Sequence, residues 1–169
     1  MSIGSTRLSA QAGTAIDLVH YLIGDLAETK IPININNIGW SYGTGLNQVN
    51  KVYFRKISLA DDATTTLSFY DGGLLDVFNI VVTMSSLKLL YIKNNSTDAT
   101  LNVFGGASLD LLCAANTSDI LYIKPGGIFL WTDPSAAGTL MTTNKNLKLL
   151  HGGQGTSALV SDVLVMGLD

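Results

Sequence analysis

Apolar and polar residues alternate in short runs along most of this chain, and turn residues separate the runs. Between Leu87 and Gly127 the pattern is densest. Leu87 to Ile92 leads into Asn94-Asn95-Ser96, Ala99 to Phe104 into Gly105-Gly106, and Ile120 to Ile123 into Lys124-Pro125-Gly126-Gly127. Short apolar runs closed by Gly, Asn and Pro clusters predict antiparallel strands joined by tight loops. From Val49 the same pattern is continuous. Val52 and Phe54 share one strand face, and Thr65, Leu67 and Phe69 share the next. Asp71-Gly72-Gly73 turns the chain, and Ile80, Val82 and Met84 alternate with Val81 and Thr83. Ile128 to Thr132, a loop at Asp133-Pro134-Ser135, a short strand near Thr139 to Thr143, Leu147 to Leu150 and Ala158 to Met166 complete the series. About ten short strands at this spacing suit an all-β, antiparallel β-sandwich, and among sandwiches a jelly roll.

The first thirty residues read differently. The opening dozen are rich in Ser, Gly, Ala and Gln and predict a flexible arm. Ile16, Val19, Ile23 and Leu26 recur at helical spacing, yet Gly24 interrupts them, so a short helix and a strand both remain open over Ala15 to Leu26. Ile33 and Ile35 alternate with Asn34 and Asn36 as a strand does, and Pro32 before them fits a strand start or an edge. The division is therefore an N-terminal arm over residues 1–30 and a sandwich over residues 31–169.

Composition narrows the function classes. Hydrophobic residues make up 47% and charged residues only 14% of 169, against roughly 25% charged in an average domain. Low charge suits a protein that hides surface in an assembly, and it also suits a Ser/Thr-rich all-β domain. The net charge is −3. Arg7, Lys51, Arg55 and Lys56 come nearest to a basic cluster, short of the stripe that phosphate contacts require, so no nucleic-acid partner is expected. There is no run of about 18 apolar residues for a membrane span. There is also no apolar signal core after Met1. Asn94, Asn95 and Asn116 match the glycosylation pattern, but with no secretion signal they read as turn residues. The expected place of synthesis is a cytoplasm.

Candidate chemistry is sparse. His20 and His151 are the two histidines and Cys113 the one cysteine, too few for a zinc site. Cys113 reads as a small core residue. Asp61-Asp62 and Asp71-Gly72-Gly73 lack the ligand spacing of a calcium loop and read as turns. Gly43-Thr44-Gly45 lacks the third glycine of a dinucleotide loop, Gln48 standing there, and Gly152-Gly153-Gln154-Gly155 lacks the lysine of a phosphate loop. Glu28 is the one glutamate, which makes a paired-carboxylate, glycan-cleaving enzyme the weakest of the function classes. No enzyme activity, cofactor or metal is expected. Trp40, Tyr42 and Trp131 could build a sugar platform, or they could fill a core or a subunit contact. Exposure of both tryptophans in one groove would favour a lectin, and burial a structural role.

Several segments, taken in order, resemble a known group. They are Gly43-Thr44-Gly45 with Asn47 to Asn50, Lys56 to Ala60, Thr65 to Phe69, Gly72 to Asn79, Leu87 to Asn94, Val103 to Ala107, Ile120 to Gly127 and Val163 to Gly167. The chain is similar to small structural proteins encoded in the head-gene region of tailed bacteriophages. The resemblance implies a jelly-roll-like virion component, namely a capsid decoration or cement protein. Its partner would be the major capsid protein, its place the capsid surface, and its state a homo-oligomer, with a trimer favoured. The alternative is a carbohydrate- or receptor-binding virion module of a tail or fibre. The segment before Ile31 departs from the pattern, since a strand is expected where a helix is permitted.

Overall fold

The computed structural model describes residues 9–12, 18–23, 28–33, 38–75, 79, 81–105, 120–142, 146–153 and 157–169, and up to residue 38 only their backbone. The expectations for Ile80, Gly106, Cys113, Asn116, Thr143, Gln154, Gly155 and the first eight residues lie outside them. The chain divides into two compact units, Met1–Tyr42 and Gly43–Asp169. The sequence pattern sets its division at residues 30/31, and the structural one falls between Tyr42 and Gly43.

The N-terminal unit contains two antiparallel pairs. Strand β1 (Ser9–Ala12) pairs with β4 (Ile38–Tyr42), with Ser9 opposite Ser41 and Ala12 opposite Ile38. Strand β2 (Leu18–Ile23) pairs with β3 (Glu28–Ile33), from Leu18 opposite Ile33 to Ile23 opposite Glu28. Two expectations are corrected here. The helix permitted over Ala15 to Leu26 is a strand from Leu18 to Ile23, and part of the arm, Ser9–Ala12, is a strand as well. The reason is the composition of the pair. Val19, Ile23, Thr29, Ile31 and Ile33 are β-branched and lose rotamer freedom in a helix, whereas cross-strand partners accommodate them. Pro32 sits inside β3, opposite Val19.

The second unit is a β-sandwich. One sheet runs in the order β13 (Ile128–Thr132), β10 (Ser86–Asn94), β16 (Leu159–Leu168), β6 (Lys51–Leu59). The short β14 (Thr139–Leu140) pairs with the start of β10. The other sheet runs β12 (Leu121–Ile123), β11 (Leu101–Gly105), β15 (Asn146–His151), β7 (Thr64–Ser68). Strand β5 (Gln48–Val49) precedes β6, and β8 (Leu74–Leu75) and β9 (Val81–Val82) form a small hairpin. The pairing is nested. β6 pairs with β16, β7 with β15, β10 with β13 and β11 with β12, all antiparallel. Pairings of β10 with β16 and β11 with β15 then roll that long double ribbon into two sheets. This is the jelly-roll order.

The two inner faces share one core. Tyr53 and Leu59 of β6, Leu90 and Ile92 of β10, and Val163 and Val165 of β16 meet Leu67 of β7, Leu101 and Val103 of β11, and Leu147 and Leu149 of β15. Phe69, Val82 and Met84 join them, as the alternation predicts. Val52 and Phe54 do share a face, and it is the outer one.

Beyond Leu87 the strand β10 bulges. Leu87 stands opposite Gly167 and Leu89 opposite Met166, which leaves Lys88 as the extra residue. The bulge accounts for buried residues on both faces at that end of the sheet.

Candidate functional site

Several of the described residues singled out for chemistry have structural partners. Gln48 folds back so that its side-chain Oε1 accepts the Gly45 N–H at 2.8 Å, and a side chain at Gly43 (φ +149°) would collide with Gln48. The Gly43-Thr44-Gly45 segment is thus a turn closed by the residue that replaces the third glycine. Asp61-Asp62 forms the β6–β7 turn, closed by Ala63 N–H donating to the Ala60 carbonyl at 3.0 Å, with Asp62 left-handed at φ +56°. Asp71-Gly72-Gly73 is also a turn, with Gly72 at φ +72°.

His151 ends β15, and its ring is shielded from solvent. Nδ1 lies 3.4 Å from Asp61 Oδ1 and 3.3 Å from the Gly153 amide nitrogen, and Nε2 lies 3.1 Å from the Ser157 carbonyl oxygen. The ring thus bridges the Gly153 N–H and the Ser157 carbonyl, one at each nitrogen. The His151 backbone N–H donates to the Ala63 carbonyl at 3.0 Å and so ties the end of β15 to the β6–β7 turn. His20 and Glu28 lie on the β2–β3 pair, in the other unit. Among the described residues, no three His, Cys, Asp or Glu side chains gather as metal ligands.

The glycosylation-pattern residue Asn94 is fully buried. Its Nδ2 donates to the carbonyls of Ala99 (2.8 Å) and Ile123 (2.9 Å), and its Oδ1 accepts from Ser96 N–H (3.0 Å) and Ser96 Oγ (2.8 Å). It ties the end of β10 to β12 and to the segment that leads into β11. Trp40 is 3% exposed. Trp131 is half-buried and packs on the sandwich core, opposite Leu90 in register. Neither ring stands free in a groove.

What the structure brings together instead is an apolar row on the outer face of the larger sheet. The register places Phe54 of β6 opposite Leu164 of β16, Leu164 opposite Tyr91 of β10, and Tyr91 opposite Leu130 of β13. The row spans four strands, and none of its four side chains is buried; Phe54 is 45% exposed. Beside it run Lys56, Asp162 and Lys93, each opposite the next, and then Ile128, 55% exposed. Opposite charges directly across a sheet support one another. The Val52–Phe54 alternation is one strand's share of this row. The other three members come from distant segments, and only the strand register joins them.

No family model matches the chain, and no curated protein matches it in sequence.

Proposed function

We propose that this chain is a structural protein of a tailed-bacteriophage virion, a capsid decoration or cement protein that stabilises the head by bridging capsid subunits. The observation that carries the reading is the row Phe54–Leu164–Tyr91–Leu130, an apolar band across a whole sheet face in a chain of low charge. Such a band gains free energy when another surface removes it from water, at roughly 25 cal/mol per Å². Copies arranged around a symmetric oligomer, a trimer in this reading, repeat that gain as linked sites on the shell. The order of motifs along the chain and the jelly-roll wrapping support the same reading. The burial of Trp40 and the packing of Trp131 favour a structural role over the sugar-binding alternative. The chain works without metal or cofactor, is made in the host cytoplasm, and ends on the capsid surface against the major capsid protein.

The test is cryo-electron microscopy of purified virions, with binding of the purified chain to undecorated heads. Density for the sandwich on the outer capsid surface, and loss of head binding in Leu164→Lys, are the expected results. Density confined to the tail would replace this function with the receptor-binding one. Light scattering checks the oligomer, and a mass of one 17.9 kDa chain at micromolar concentration would remove the trimer.

A further inference from the structure

We propose that the free edge of β6, with the cleft beside it, takes an extended acidic polypeptide segment by strand addition. This goes beyond the decoration reading and does not depend on it.

β6 is nine residues long and pairs on one side only, with β16. β7, the edge of the opposite sheet, likewise pairs on one side only, with β15. Among the described residues, no strand pairs with the outward side of either one. Between them the sandwich opens into a cleft of about 350 Å³, lined by Tyr53, Arg55, Ile57, Leu67 and Leu74 among others. An unpaired edge next to a cleft of mixed lining, with Lys56, Thr65 and Thr66 beside the apolar groups, is an arrangement that strand addition can use. The edge backbone supplies affinity, and pockets for alternate side chains supply selectivity.

The charge on β6 states which segment fits. Tyr53, Arg55, Ile57 and Leu59 occupy the inward register, so a guanidinium stands where the alternation calls for an apolar group. Arg55 is exposed, and its Nη1 donates to the Leu75 carbonyl at 3.1 Å, across the cleft mouth. Lys51, Arg55 and Lys56 are three of the ten Lys and Arg residues in a chain of net charge −3, and β6 contains no acid. Lys51 is paired with Asp169 at 3.0 Å and Lys56 stands on the outer face opposite Asp162, which leaves Arg55 as the cation on the cleft side of the edge. A second copy of β6 is the wrong occupant, because no register of this strand against itself sets a cation opposite an anion. A centred two-fold would set Arg55 against its own mate. The complementary strand carries apolar residues opposite Tyr53 and Ile57 and a carboxylate between them, opposite Arg55.

The probe is a capped nine-residue peptide of alternating valine and threonine with glutamate at the central inward position, titrated into the ¹⁵N-labelled full chain. Its control carries lysine at that position. The expected result is progressive shifts of the Lys51–Leu59 amides and the Arg55 side-chain N–H, with the glutamate peptide bound about tenfold more tightly. Arg55→Glu should reverse the preference. Arg55→Gln should abolish it, and it keeps the test available if the reversal variant fails to fold. The proposal is overturned if millimolar peptide leaves the β6 amides unmoved, if the shifts fall elsewhere, or if the two peptides bind equally. It is also overturned if inorganic polyphosphate displaces the peptide from every variant alike. Aggregation of the Arg55 variants with no peptide preference would overturn it too, and would make the cations guards against edge pairing instead.

Discussion

The Lys88 ammonium donates to the Gly45 carbonyl oxygen at 2.8 Å, from a side chain with no exposure to solvent. Lys88 is the extra residue of the β10 bulge, and its own carbonyl accepts the Asp133 N–H at 2.8 Å. The bulge thus binds two loops at once, the turn at residues 43–47 and the loop after β13. These loops also meet directly through Asn47 N–H and the Pro134 carbonyl at 3.0 Å.

Burial holds the Lys88 pKa below its usual 10.5, and the neighbouring Asp133 carboxylate opposes that shift. The unfolded chain therefore binds a proton that the folded chain has released, in the interval between the lowered value and 10.5. Stability should rise with pH across that interval. Lys88→Met removes this rise, and because it exchanges a buried charge for an apolar chain of similar length, it should change stability by no more than about 1 kcal/mol. Lys88→Ala leaves a void beside the Gly45 carbonyl, which keeps the Gln48 N–H at 3.1 Å, and should cost about 2–3 kcal/mol. Urea unfolding of the three proteins between pH 7 and 10.5 measures both effects.

Asp133 responds at the other end of the pH scale. Burial raises its pKa, but hydrogen bonds from Ser135 and Thr139 and the charge of Lys88 outweigh burial and hold it below the usual 3.8. Its contribution is fully present above 3.8 and is lost as pH falls through the lowered folded value. Asp133→Asn should cost about 1 kcal/mol at neutral pH and flatten the acid end of the stability profile. An unchanged profile below pH 4 would rule out this role.

The Asn94 amide makes four hydrogen bonds with no access to water. Asn94→Ala takes a buried donor from the Ala99 and Ile123 carbonyls, of which Ala99 keeps Ser96 Oγ at 2.7 Å, and should cost about 2–4 kcal/mol. Asn95→Ala, one residue further along and nearer solvent, loses one bond to Asp162 at 2.7 Å and should cost about 1 kcal/mol. Thermal unfolding of the pair separates a buried clamp from a surface turn.

The sandwich is legible in the sequence because its strands are amphipathic. Thr65, Leu67 and Phe69, or Val82 and Met84, show the core face by alternation alone. β10 hides its geometry. Its run from Leu87 to Leu90 has no alternation, since a bulge turns residues of both faces inward, and a lysine in such a run gives no hint that it is buried. The Ala15–Leu26 segment misleads for a different reason. Four apolar residues fit helical spacing, while the partner strand that decides the matter lies beyond Gly24. Asn94 looks like turn chemistry because three of its four partners are backbone groups, of which sequence carries no trace. The row on the outer face is unreadable for a related reason, since Phe54, Leu164, Tyr91 and Leu130 meet only through register.

Gly167 of β16 stands opposite Leu87, at the start of the bulge. A Cβ there would collide with the Ser86 carbonyl oxygen and come within 3.0 Å of Met84 Sδ. The carbonyl belongs to a paired strand and cannot step aside. Gly167→Ala should therefore destabilise by about 3 kcal/mol, whereas Gly73→Ala, with open space at its Cβ, should fall within about 0.5 kcal/mol of the parent. Equal midpoints in urea for the two variants would contradict the tight approach of β16 to β10.

The residues of the sandwich core all lie at Tyr53 or beyond, and both sheets are complete within Gly43–Asp169. Burial of that core is the main favourable contribution to folding, and all of its residues lie in the second unit. A chain beginning at Gly43 should fold by itself, with the β circular dichroism of the sandwich and cooperative unfolding within a few degrees of the full protein. Deleting only residues 2–13 is a finer cut. It removes β1, the partner of Ile38–Tyr42, and should leave the unfolding of the sandwich unchanged. On the decoration reading the same deletion weakens attachment to undecorated heads, because the arm then supplies part of the contact with the shell. Two measurements keep these statements apart. A fragment from Gly43 that unfolds without cooperativity refutes the independence of the sandwich, and normal head binding by the shorter deletion moves the contact from the arm to the outer face of the larger sheet.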